Sequence, residues 1–209
     1  SLIKEHGHHK QGIQAYLACT TFADVQIGRV LDALDNSPYK DNTIVVLWSD
    51  HGWHLGEKDH WTKGTLWEES THCLMMFRVP GLTQAGGTCE RFVSLLDIYP
   101  TLSELTGVAL PDYPVDGTSL APLLKNPGAP SEARALSAYA NHMTVRTEQY
   151  RYIRYTDGSE EFYDHGKDPN EWTNQAGNPE YAAAIKSLQA RIPSLEEMTP
   201  EVGKKGDKK

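Results

Sequence analysis

The sequence lacks any apolar run near the ~20 residues that a membrane-spanning helix needs. Ser1 to Lys10 is polar and rich in histidine, so the basic, apolar and small-residue pattern of a signal peptide is missing there. No initiator Met is present, and we expect the chain to begin inside a longer protein. An excess of positive charge is also lacking. Lys and Arg number 20 against 28 Asp and Glu, a formal net charge of −8, which argues against a general nucleic-acid binder. A local basic pocket would still accept an anionic substrate. Cysteine is scarce: Cys19, Cys73 and Cys89 match no zinc spacing and no C-x-x-C redox pair. Cys19, in an apolar helical stretch, and Cys73, opening an apolar strand, read as buried small hydrophobes. One disulfide among the three stays open. There is no internal repeat.

What is present suits one domain, or a large piece of a bigger one. Of the 209 residues, 39% are hydrophobic, enough for a core. Ile13, Tyr16, Leu17, Phe22, Val25, Ile27, Val30, Leu31 and Leu34 recur at helical spacing, predicting a helix from about Gln11 to Leu34. Asn36, Ser37 and Pro38 stop it. Thr43 to Trp48 is a short β-branched run, the pattern of a strand buried on both faces of a parallel sheet. Helix then strand is the unit of an α/β fold. Cys73 to Val79 predicts a second core strand and Val93 to Leu105 a helix ended by Gly107. Pro111 to Pro130 reads as a connection. Thr144 to Tyr155 and Glu161 to Tyr163 predict antiparallel strands joined at Asp157-Gly158. Pro179 to Ile192 predicts a closing helix, and the charged stretch Gly203 to Lys209 predicts disorder.

The chemistry concentrates in Ser49-Asp50-His51-Gly52-Trp53-His54-Leu55-Gly56-Glu57 and His60-Trp61-Thr62-Lys63. This stretch follows the carboxyl end of the predicted buried strand, where ligands bind in open α/β sheets. Gly52 permits a sharp backbone turn. Asp50 offers hard oxygens to a divalent cation. His51 suits a metal, or an anion held by one. Lys63 is a compact positive charge suited to an oxyanion. A cation and a lysine together would stabilise a transferred sulfate or phosphate group. On chemistry alone the same residues equally make a turn after a strand, with Asp50 capping the backbone. A single loop lysine is commonly just a solvated charge.

The string WSDHGWHLGEKDHWTKGTLWEESTHCLMMFRVPG closely resembles the metal and sulfate-binding segment of type I sulfatases, nearest the iduronate-2-sulfatase-like branch. The resemblance continues backward through QAYLACTTFADVQIGRVLDAL and forward through FVSLLDIYPTLSELTGVALP, DGTSLAPLL and TVRTEQYRYIRYTDGSEEFYDHGKDPNEWTNQAG, covering roughly Gln11 to Ile192. It implies an α/β, alkaline-phosphatase-like fold. Residues 1–130 would carry the C-terminal portion of the catalytic domain and its central sheet. Residues 131–209 would form a small antiparallel C-terminal subdomain with a closing helix and charged tail. It places Asp50 and His51 at the family's second pair of calcium ligands, with His51 able to serve the sulfate or the nucleophile instead, since calcium prefers oxygen. Lys63 falls where the family contacts the sulfate, and Trp53 where that branch lines the substrate pocket.

The family's formylglycine nucleophile arises in a C/S-x-P-x-R motif, and no cysteine here stands in one. Its first metal pair, two adjacent aspartates, is absent as well. We therefore expect a truncated or cleaved chain, or an incomplete gene, inactive alone. His54, His60 and His142 are further candidates for substrate contact. Glu57 reads as a loop cap, and His6, His8 and His9 as a solvated segment. Arg146, Arg151 and Arg154 read as outward charges on a half-exposed strand. Asp168 to Trp172 reads as a structural loop. The implied activity is sulfate ester hydrolysis with Ca²⁺, on a sulfated small molecule or glycan, in a periplasmic, secreted or lysosomal setting. The implied partner is the missing N-terminal part, with no nucleic acid and no membrane span. Two rivals remain: a phosphodiesterase or phosphonate hydrolase of the same superfamily, and a non-catalytic module that binds sulfated glycans.

Overall fold

The computed structural model describes residues 2–131 and 134–193. The tail expected to be disordered, 203–209, lies outside them. The chain divides into two compact units, Ser1–Ser131 and Glu132–Lys209.

The first unit opens with α1 (Leu2–Glu5) and α2 (His9–Asp35). Asn36 ends α2 as the sequence predicts: its backbone N–H and its side-chain amide both donate to the Asp32 carbonyl. No residue of α2 is fully buried, and Leu17, Phe22, Val25 and Val30 stand exposed. Cys19 is exposed with them, contrary to expectation, because the helix keeps an apolar face uncovered within the described residues. Cys73 is half-buried, and all three cysteines are free thiols.

β1 (Val45–Trp48), β2 (His54–Leu55), β3 (Trp61–Thr62), α3 (Glu68–Thr71) and β4 (Met75–Arg78) follow. β1 pairs antiparallel with β4, from Val45 opposite Arg78 to Trp48 opposite Met75. β2 pairs antiparallel with β3. The expected parallel neighbours of β1 are therefore not found among the described residues, and β1 is half-buried instead of covered on both faces. A run of β-branched residues specifies extended backbone but not the direction of its partner. In the turn Leu95–Asp97, Ser94 accepts the Leu96 N–H and Asp97 accepts the Ser94 N–H, launching α4 (Ile98–Thr106). Gly107 closes α4 at φ 72, a left-handed cap that favours glycine. α5 (Ala121–Lys125) completes the unit, whose buried apolar residues are Leu66, Val79, Leu120 and Leu123.

The second unit is a four-stranded antiparallel meander: β5 (Ala135–Tyr139), β6 (His142–Arg146), β7 (Tyr150–Arg154) and β8 (Glu160–Asp164). The Asp157-Gly158 hairpin joins β7 to β8, with Gly158 at φ 84. The expected single strand Thr144 to Tyr155 is instead two. Thr147 breaks it, exchanging backbone and hydroxyl hydrogen bonds with Tyr150, a turn without Gly or Pro to announce it. α6 (Ala182–Gln189) follows a turn capped by Asn178. Ile185, Leu188, Tyr181 and Ile192 form a core with Met143, Val145, Tyr152 and Phe162 of the sheet.

The arginines correct a second expectation. Arg151 is fully buried, and its guanidinium pairs with the equally buried Glu171 and reaches the Thr144 hydroxyl at 3.2 Å. Arg146, also buried, meets His165 Nδ1 at 2.8 Å, and His165 Nε2 meets Glu171 at 2.8 Å. A guanidinium only donates. His165 therefore accepts at Nδ1 and donates from Nε2. The chain around 165–171 covers the sheet face that alternation had assigned to water. Arg154 is half-buried and donates to the Pro193 carbonyl. Among the described residues no helix is long and apolar enough to cross a membrane.

Candidate functional site

Two backbone contacts fix the path of the chain beyond β1. The Ser49 N–H donates to Leu74 at 3.1 Å, and the Gly52 N–H donates to Ser70 in α3 at 2.8 Å. A Cβ at Gly52 would lie 2.0 Å from the Glu69 carbonyl oxygen and 2.7 Å from that of His72, so only glycine fits. The Ser49 hydroxyl donates to the His51 carbonyl at 2.8 Å, tightening the turn between them.

This turn presents Asp50 and His51. The Asp50 side chain is 79% exposed and that of His51 27%. His51 Nδ1 lies 2.7 Å from the Gly52 carbonyl, which only accepts, so the proton sits on Nδ1. The Nε2 lone pair then faces the Lys63 ammonium, which donates to it at 2.8 Å. Asp50 Oδ2 is 3.3 Å from the same Nε2. One imidazole edge thus joins the Asp50 carboxylate to an ammonium brought from 12 residues beyond His51 in sequence.

The loop that carries Lys63 is strained. Gly56, Lys58, Asp59, Thr62 and Gly64 all have positive φ, and Thr62 at φ 74 is an outlier for a β-branched residue. Buried supports hold it. His54 is fully buried, bonded to the Thr65 hydroxyl at 2.7 Å and packed edge-on against His60 and Trp67. The Lys58 ammonium sits 4.7 Å above the Trp67 ring. Glu57 accepts the Leu55 N–H at 2.6 Å, a loop cap. Burial, and then the Asp50 carboxylate, push the Cys73 thiol up.

The aromatic surroundings include residues that sequence patterning left aside. Trp53 stacks on His51 with ring centres 6.2 Å apart, and Tyr16 of α2 stacks on Trp53 at 6.0 Å. His9 packs edge-on against Trp61 at 5.2 Å, and a Cβ at Gly12 would meet that same ring at 3.0 Å. His9, Gly12 and Tyr16 share one stripe of α2 at i, i+3 and i+7, and that spacing is the signal that would have found them. His142 belongs to the second unit. There its Nδ1 accepts the Thr156 N–H at 3.1 Å, and its ring packs edge-on against Tyr155.

Comparison with known proteins identifies relatives of the chain. A sulfatase family model matches residues 3–108. A second, described as N-sulphoglucosamine sulphohydrolase, C-terminal, matches residues 56–198. A sulfatase of Formosa agariphila is 46% identical over 188 residues, covering 90% of this chain and 37% of that protein. An N-acetylglucosamine-6-O-sulfatase of Bacteroides thetaiotaomicron is 34% identical, with 86% and 35% covered. A structure solved in complex with its substrate, D-glucosamine-2-N,6-O-disulfate, superposes with a TM-score of 0.76 at 33% identity, covering 88% of this chain and 39% of that one. The phosphonate monoester hydrolase of Agrobacterium radiobacter superposes with a TM-score of 0.70 at 32% identity, covering 84% and 39%. The chain thus spans less than two-fifths of the length of each of these proteins, and its fold is the corresponding part of the alkaline-phosphatase-like sulfatases. On the match through residues 3–108 and the structural likeness beyond it, the chain belongs to the sulfatase family, of which it carries a C-terminal portion.

Proposed function

We propose that this chain is part of a sulfatase that hydrolyses a sulfate ester of a sugar. The observation that carries the proposal is the Lys63 ammonium and the Asp50 carboxylate meeting on one edge of His51 just past the end of β1. Lys63 would bind the sulfate oxygens, where its charge stabilises the developing negative charge. His51, its proton held on Nδ1 by Gly52, would use its Nε2 lone pair to hold the Lys63 ammonium in place. Trp53 would line the pocket. His54 is buried, and we assign it to holding the Lys63 loop in place of the substrate contact expected from sequence. The names of the relatives support a sugar substrate: one acts on N-acetylglucosamine 6-O-sulfate, and one structure holds a glucosamine disulfate. The iduronate-2-sulfatase-like branch stays part of the proposal on the Asp50-His51 pair.

Family membership implies a metal cofactor, and we propose Ca²⁺. The donor set fits in part. The exposed Asp50 carboxylate offers hard oxygens, whereas both ring nitrogens of His51 already have partners. Asp50 would therefore hold the ion, and His51 would orient Lys63. When bound, the ion would neutralise charge on the sulfate oxygens. The formylglycine nucleophile would come from outside this sequence, which contains no C/S-x-P-x-R segment. We propose the rest of the same protein as the partner, and a periplasmic, secreted or lysosomal location.

Assay of the 209-residue chain on an aryl sulfate and on glucosamine 6-sulfate tests this, alone and mixed with the N-terminal part of a sulfatase relative. We expect no turnover alone, because without a nucleophile the uncatalysed barrier stays nearly intact. Turnover is expected after mixing and is lost in Lys63→Ala. Turnover by the chain alone would overturn the need for a second segment, and a fully active Lys63→Ala mixture would remove Lys63 from the site. The phosphonate monoester hydrolase likeness favours a second reading, in which the same anion site takes phosphonate esters. A larger kcat/KM on a phenyl phosphonate than on the aryl sulfate would establish it.

A further inference from the structure

Tyr16, Trp53 and His51 form a file of three rings. Neighbouring centres are 6.0 and 6.2 Å apart and neighbouring planes are inclined by 27° and 26°. The file ends at Lys63, which is bonded to His51. Tyr16 does not fill a core: it is 37% exposed, on a helix with no fully buried residue. Among the described residues its hydroxyl makes no hydrogen bond. The local packing therefore leaves a large aromatic face partly in water, linked through Trp53 and His51 to the Lys63 ammonium.

Such a face has a natural ligand chemistry. A sugar ring presents a flat set of C–H bonds, polarised by the neighbouring oxygens, to the negative face of an aromatic ring. We propose that Tyr16, together with Trp53, is a wall against which the sugar ring of the sulfate ester packs. The two aromatic residues would then set a preference for cyclic sulfated sugars over sulfate that carries no ring. This rests on the proposal that Lys63 holds the sulfate. Tyr16 is the new element, because it comes from a helix remote in sequence and contributes specificity without touching the reacting atoms.

Calorimetric titration of the 209-residue chain with glucosamine 6-sulfate and with inorganic sulfate separates the two ideas. In the unmodified chain the sugar sulfate should bind roughly three- to tenfold more tightly than inorganic sulfate, the size of one aromatic contact. Tyr16→Ala should abolish that advantage and leave inorganic sulfate unchanged. Tyr16→Phe keeps the ring and should retain the advantage to within about twofold. Lys63→Ala should weaken both ligands. Equal affinity for the two ligands in the unmodified chain overturns the wall while the anion site stands. So does a Tyr16→Ala chain that weakens both ligands alike, since Tyr16 would then act only on the fold. Binding of neither ligand overturns the anion site, and the wall with it.

Discussion

In the second unit Tyr152, Ile153 and Phe162 are fully buried, Tyr152 and Phe162 in a core with Ile185 and Leu188 of α6. In the first unit Phe22 and Val30 of α2, Trp48 of β1 and Met76 of β4 are each at least half exposed. One unit is held by its core. The other holds its site by backbone hydrogen bonds, a glycine contact and stacked rings, while much of its apolar surface remains open. The site-bearing unit is thus the one with less of its own packing, and the relatives are proteins of which this chain spans 35–39%. In our proposal the open surface around Phe22 of α2 and Met76 of β4 is where the rest of the protein packs, leaving Tyr16 to the substrate.

That contrast is testable by substitution. The largest effect is expected from Glu171→Ala, which removes a carboxylate paired with the buried Arg151 and should cost the second unit about 3–5 kcal/mol in urea denaturation. Replacing the pair together, Arg151→Met with Glu171→Leu, should recover most of that loss. A single-site cost below about 1 kcal/mol would mean that water reaches Arg151 after all. Next, Ile185→Ala should cost about 2–5 kcal/mol, whereas Phe22→Ala on the open face of α2 should stay within about 0.5 kcal/mol. Equal costs would erase the distinction between the units.

Gly52→Ala should have a smaller effect on stability, about 1–3 kcal/mol, because the clash falls on backbone that must shift. It should still abolish sulfate binding. A Gly52→Ala chain that binds inorganic sulfate normally would show that the turn adapts. The mildest probe is alkaline pH. Burial, and then the Glu160 carboxylate, push the Tyr152 hydroxyl up to about 12, above its ordinary value near 10. Tyr155 and Tyr163, both against Glu161, are also pushed up, mainly by burial. A raised folded value means stability that is complete below pH 10 and lost as pH climbs from about 10 to about 12. The denaturation midpoint of the second unit should fall through that window, less steeply in Tyr152→Phe. A midpoint that stays flat there would count against the buried hydroxyls.

The sequence shows some of this directly. A β-branched run ending in Asp50-His51-Gly52 marks the end of β1, and Asn36-Ser37-Pro38 and Asp157-Gly158 mark the end of α2 and a hairpin, because these residues act locally. Other features depend on contacts that no local pattern encodes. Thr62 and Lys58 adopt left-handed backbone against their own preference, so the path that brings Lys63 to His51 is set by the packing of His54 and Trp67. Strand alternation assigned Arg151 to water, and its burial depends on residues such as Glu171, 20 positions further along the chain. The antiparallel pairing of β1 with β4 is likewise a choice made by the fold.

The Gly52 contact has a wider consequence. Two stretches of main chain touch there, and together with the bond to Ser70 they decide where residues 50 to 53 are displayed. A display fixed by main chain is indifferent to the chemistry hung upon it. Asp50, His51 and Trp53 are therefore open to exchange, one at a time, with the frame intact. A single scaffold could move in this way between sulfate and phosphonate esters, by swapping side chains around a glycine that itself admits no replacement.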